Sequence, residues 1–189
     1  MTKSNKVCII YTGTNGLHTA YGDVSKKNMY GIARLIKLEY MIGFYNDSGK
    51  FVEELKEKII IKPNAINFQE EAQKIHKVSY QKAVNEGIDG NIAMKQFMKN
   101  LRDVHIIVGH NIRFHLKSIQ SECFRTCTYI DFSQFILIDT STFGHNLEHP
   151  SLTELAEKYN IDSQKPLRIL KKLFYKLYKQ NLLSETTQS

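Results

Sequence analysis

Short apolar runs punctuated by glycine and asparagine open the chain, and amphipathic stretches close it. Residues 7–11 form a β-branched run bounded by Gly13 and Asn15-Gly16, which predicts a short buried strand. The stretch 33–45 predicts a second strand, although its incomplete alternation leaves a helix open. Asn46-Asp47-Ser48-Gly49 is a turn signal, and 51–61 returns as a third strand ending at Lys62-Pro63. These three strands make a β-meander. Residues 68–76 and 91–102 then predict helices, 104–108 a buried strand, and 111–123 a helix with Ile112, Leu116 and Ile119 on one face. A strand over 135–138 follows. Ser151-Leu152-Thr153-Glu154 has the pattern of a helix-opening capping box. Pro166 suits the first turn of a last helix reaching about Tyr178, because no helical hydrogen bond needs its missing N–H.

A meander followed by alternating helices and strands predicts an α/β fold with a mixed central sheet flanked by helices. With no internal repeat or linker, the chain reads as one domain over 7–181, between a loose N-terminus (1–6) and a polar tail (182–189). At 189 residues, 42% of them hydrophobic, it is long enough to bury a real core. No secretory signal and no apolar stretch of membrane-spanning length is present. Three cysteines, Cys8, Cys123 and Cys127, make neither a disulfide framework nor a paired zinc motif, which points to an intracellular setting. The net charge of +7 favours acidic partners such as nucleic acid. Abundant Lys, Ile, Asn and Tyr fit an AT-rich viral or microbial genome.

Several fragments carry a resemblance. Val7-Cys8-Ile9-Ile10-Tyr11-Thr12-Gly13-Thr14-Asn15-Gly16-Leu17 is a strand running into a glycine turn. Glu71-Ala72-Gln73-Lys74-Ile75-His76-Lys77-Val78-Ser79 follows the meander, and then come Val108-Gly109-His110-Asn111-Ile112-Arg113-Phe114-His115, Leu137-Ile138-Asp139-Thr140 and Ser151-Leu152-x-x-Leu155-Ala156. In this order they resemble the DEDD-type (DEDDh, proofreading epsilon-subunit-like) 3′–5′ exonucleases of the ribonuclease H-like fold. The resemblance implies that fold over nearly the whole chain. It also implies where the chemistry should lie. The family's first Asp-x-Glu falls on Tyr11 and Gly13, its second metal-binding Asp on His115, and its final His-x-x-x-x-Asp on Lys165 and Leu170.

Two divalent ions serve this chemistry, and they want hard oxygen ligands. Tyr11, Gly13, His115 and Leu170 supply no carboxylate, and a protonated Lys165 cannot take a proton from water. The expectation is therefore a pseudoenzyme with no catalytic residues, no metal and no cofactor. It would act as a nucleic-acid-binding or scaffold component of a larger assembly, such as a replication complex or virus particle, away from membranes. The alternatives are a divergent active 3′–5′ exonuclease and a protein-interaction module without nucleic-acid affinity. Leu170 also fits an apolar helical stripe with Leu167, Phe174 and Leu177, and Asp139 reads as structural. Candidate phosphate contacts are Lys165, Arg168, Lys172, Lys176 and Lys179, a basic stripe at three- and four-residue spacing. His76, His110 and His115 could converge, with packing the more economical reading than a transition-metal site. Tyr11 reads as a filler of the emptied cleft ahead of a stacking platform for a base.

Overall fold

A computed structural model describes residues 6–46, 48–64, 67–144 and 150–186, excepting the side chains of 143–144 and 177–186. Strand β1 (Val7–Thr14) pairs antiparallel with β2 (Leu35–Tyr45), and β2 pairs antiparallel with β3 (Phe51–Ile60). After helices α1 (Glu70–His76), α2 (Tyr80–Glu86) and α3 (Gly90–Asn100), strand β4 (Ile106–Gly109) lies parallel to the other side of β1. Helix α4 (Ile112–Arg125) then leads to β5 (Ile136–Asp139), parallel to β4. The five strands lie in the order β3-β2-β1-β4-β5, so β1 is central, as a strand apolar on both faces should be. Helices α5 (Leu152–Lys158) and α6 (Pro166–Thr186) finish the domain.

Alternation along the strands sorts the core into two layers. On one face Cys8, Ile10, Leu38 and Tyr40 pack against Met94 and Phe97 of α3 and Ile112, Leu116 and Ile119 of α4. On the other, Val7, Ile9, Met41 and Val108 meet Leu167, Leu170 and Phe174 of α6. Helices α1 and α2 close one end, where Phe68, Val78 and Ala83 cover Ile36 and Ile60. Ser151 and Glu154 form the expected capping box at α5.

The elements differ from the sequence expectation in three places. Strand β1 continues past Tyr11 through Gly13 to Thr14, because β2 pairs with it along that length. Helix α2 is not foreseen, because seven residues with one fully buried side chain, Ala83, leave almost no periodic signal. Helix α6 runs to Thr186, past Tyr178 and through residues 182–186 of the expected tail. Residues 1–5 of the N-terminal segment and 187–189 lie outside the described residues. No helix among the described residues is long and apolar enough to cross a membrane.

Candidate functional site

Tyr11, Gly13 and His115 converge at the end of β1, in a cleft of about 380 Å³ whose walls also include Leu17, Ala72, Ile75, His76 and Phe114. Helix α1 presses against β1 here. The close approach explains the glycine: a Cβ on Gly13 would lie 2.4 Å from the Cβ of His76, so His76 occupies the space a side chain would need. His76 is itself 2% exposed. Its Nδ1 accepts from the Val78 N–H at 3.1 Å, while Nε2 has no well-formed bond and faces the Thr14 carbonyl. Burial, reinforced by Lys37, holds this imidazole below its ordinary pKa and hence neutral at pH 7.

His115 enters from the first turn of α4, 5% exposed. Its Nδ1 lies 2.7 Å from the Thr12 hydroxyl and accepts from the Thr12 N–H at 3.3 Å, which fixes Nδ1 as the unprotonated nitrogen at neutral pH. Burial pushes its pKa down to about 4, against the smaller opposing pull of the His110 carbonyl and Asp139. The side chain is thus a neutral brace between β1 and α4.

Across the sheet, β1 pairs Tyr11 with Glu39 and Gly13 with Lys37, setting all four on one face. Lys37 Nζ is 3.2 Å from Glu39 Oε1 and 5.3 Å from the centre of the Tyr11 ring. A cation belonging to the protein itself therefore sits beside the Tyr11 ring, and Glu39, the carboxylate paired with Tyr11 in the sheet, is committed to it. Neither residue is singled out by the sequence motifs. Their signal is there, as two polar residues two apart in an otherwise apolar strand.

The remaining positions stand apart. Leu170 is fully buried between the sheet and α6, and Lys165 is exposed just before the start of that helix. His110 Nδ1 lies 3.0 Å from the Thr140 hydroxyl, and burial lowers its pKa. Asp139 is consumed structurally: its oxygens accept from the N–H groups of Asn111 and Ile112 at 2.8 and 2.9 Å and from the Ser141 N–H and hydroxyl. Burial alone would raise its pKa, but these bonds outweigh it and hold the carboxyl low. It serves as the cap of α4, whose own N-cap residue, Asn111, has a left-handed backbone and offers no side-chain bond.

These donors do not fit a pair of hard divalent ions. Two imidazoles, a phenol, a glycine and an aliphatic side chain stand at or against the expected ligand positions, beside a lysine ammonium, and the one carboxylate in the cleft lining is the exposed Glu71 of α1. No group of three His, Cys, Asp or Glu residues placed to hold a metal ion occurs among the described residues.

Helix α6 carries its basic residues outward. Lys165, Arg168 and Lys172 are exposed while Leu167, Leu170, Leu173 and Phe174 are buried. Lys176, also exposed, donates to the Tyr159 carbonyl. The side chains of Lys179 and Leu177 lie outside the described residues.

No family model and no curated protein sequence matches the chain. Solved structures do. An Escherichia coli exonuclease I complex with a dT13 oligonucleotide superposes with a TM-score of 0.72 at 13% identity, covering 96% of this chain and 43% of that one. The fold is shared with part of exonuclease I. A product-bound exonuclease I gives a TM-score of 0.69 at 14% identity, covering 90% of this chain and 42% of that one. An ExoI/SSB-Ct complex gives 0.68 at 14%, with 90% and 40% covered. The chain therefore spans about two fifths of the length of these exonuclease I chains. The ribonuclease H-like architecture with its mixed sheet is shared, and the likeness at this identity is one of fold.

Proposed function

We propose that this chain is a catalytically inactive exonuclease-like protein that acts as a nucleic-acid-binding or scaffold component of a larger assembly, such as a replication complex or virus particle. The observation that carries this reading is the packing of His76 into the space above Gly13. A carboxylate at that position is excluded by an occupant, beyond being absent from the sequence. His115 buried as a neutral brace and Leu170 sealed into the core support the same conclusion. Folded stability does not depend on nuclease chemistry, so the surface outlasts the site.

The purified protein is expected to leave labelled single-stranded DNA and RNA intact with Mg²⁺ or Mn²⁺ present. Cleavage that disappears in a His115→Ala variant would overturn the reading in favour of a divergent 3′–5′ exonuclease.

Nucleic-acid binding is supported by the +7 net charge, the exposed basic stripe of α6, and oligonucleotide complexes of fold neighbours. Such binding is electrostatic and indifferent to sequence, because phosphates carry no base information. Every phosphate that is no longer neutralised by a side chain should reduce the log–log salt slope of affinity by roughly 0.7–0.9. A Lys172→Glu, Lys176→Glu variant should therefore bind more weakly and with a shallower slope. Equal affinities at every salt concentration would remove α6 from the interface. Absence of binding by the wild type at low salt would favour a protein-interaction module.

A further inference from the structure

A second cavity, of about 600 Å³, adjoins the cleft through the shared residues Gly16, Leu17 and Gln69 and extends between the loop that precedes β2 and the start of α3. We infer that it is an anion site, built for the phosphate of a phosphomonoester. The inference does not rest on the absence of nuclease activity.

Its wall is organised by a buried carboxylate. Glu122 of α4, with a side chain 1% exposed, takes Arg34 Nε at 3.1 Å and Nη2 at 2.9 Å. Arg125 Nη1 approaches the same carboxylate at 3.5 Å, and its Nη2 donates to the Met29 and Ile32 carbonyls. The two guanidinium groups and one carboxylate leave one net positive charge on the wall. They are also rigid. Arg34 is gripped through its main chain as well, its N–H donating to Asn15 Oδ1 at 2.7 Å.

A guanidinium has five N–H donors in a fixed fork. Arg34 spends its Nε edge on Glu122, and among the described residues its Nη1 has no hydrogen-bond partner. That free edge belongs to a cavity-lining side chain held in place before any ligand arrives. Lys62 lines the same cavity and makes no ion pair among the described residues. The amides of Gln69 and Asn64 add neutral donors. Asp89 is the one other acid in the lining, and its Oδ1 accepts from the Asn91 and Ile92 N–H groups at the head of α3.

These groups define the ligand's chemistry. It is anionic, because Arg34, Arg125 and Lys62 against Glu122 and Asp89 leave the lining one net positive charge. It must offer more acceptors than one carboxylate, because a fork edge, an ammonium and two amides share the wall. A terminal phosphate, with three outer oxygens, meets both demands. The volume falls within the range of small-molecule sites and leaves room for what the phosphate is attached to. Tyr30, 83% exposed, stands at the wall as an aromatic surface for a ring. The cavity lies on the α3/α4 side of the sheet, whereas the basic stripe of α6 lies on the other.

Titration calorimetry with inorganic phosphate, adenosine monophosphate, and an oligothymidylate with and without a 5′-phosphate tests this. The full chain should bind inorganic phosphate. Lys62→Ala should weaken it about tenfold, as should Arg34→Lys, which keeps the charge but loses the fork. Lys62 carries no ion pair among the described residues, so its variant stays informative even if Arg34→Lys melts early. The Lys172→Glu, Lys176→Glu variant should bind phosphate as the wild type does. Tighter binding of adenosine monophosphate marks a small phosphomonoester as the occupant, and tighter binding of the 5′-phosphorylated strand marks a nucleic-acid end. Failure of the wild type to bind phosphate overturns the inference. So does affinity unchanged by Lys62→Ala, or affinity abolished only in the α6 variant.

Discussion

Gly13→Ala is expected to destabilise the protein by about 3 kcal/mol, near the top of the range for overpacking a core. The added Cβ would sit 2.4 Å from His76 Cβ, and neither partner yields easily. Gly13 is held in the central strand by pairing with Lys37, and His76 is fixed by the Val78 N–H on its ring. For a domain of this size the destabilisation corresponds to a fall in Tm of roughly 6–12 °C. Denaturant unfolding measures it directly. Gly13→Ala combined with His76→Gly should recover part of the stability, giving a double-mutant cycle with coupling well above about 0.5 kcal/mol. A single variant within about 0.5 kcal/mol of the wild type would show that the packing is slack. Gly13→Glu begins with the same Cβ, so no one substitution at this position restores a carboxylate to the cleft.

Stability should also fall steeply as the pH drops from 6.5 toward 4, with His115 a principal cause. The folded-state pKa of His115 lies at about 4 against an ordinary 6.5, so the unfolded chain binds its proton first. The contribution is complete above 6.5 and disappears as the pH falls to about 4, a span worth roughly 3 kcal/mol. His18, His76 and His110 are lowered in the same direction, chiefly by burial, and steepen the wild-type curve. Comparison with His115→Gln, which cannot titrate, isolates the one residue. Between about pH 6.5 and 5 the variant should lose less stability per pH unit than the wild type. Parallel curves would mean that the ring is hydrated in the folded protein. Asp139, with its pKa held low, loses its own contribution only at more acid pH, outside this window.

The sheet could be read from the sequence because its signals are local. A β-branched run before a glycine turn, a turn at residues 46–49 and a capping box at Ser151 each specify their element within a few residues. The identity of the residues at the expected ligand positions is equally plain. What surrounds them is not. That His76 fills the place above Gly13 depends on how α1 docks on β1, a meeting of segments some sixty residues apart in the chain. Lys37 and Glu39 look like interruptions of an apolar strand until the register sets them beside Tyr11 and Gly13. Arg34 and Glu122 are 88 positions apart, and no sequence period links them. Helix α2 escapes notice for the opposite reason, being too short to show a period at all.

The central position of β1 also governs how the chain can be made. One edge of β1 pairs with β2 within the first 45 residues, whereas the other waits for β4, where Val7 meets Ile106. During synthesis the meander can close early, yet the apolar strand that will become the middle of the sheet stays open along one side until residues 106–109 have left the ribosome. At the roughly 5–20 residues per second typical of translation, that exposure lasts roughly 5–20 seconds. A nascent chain stalled inside α3 would therefore present the open edge of β1 as a template for another strand, while one stalled between β4 and β5 would present the edge of β4 instead.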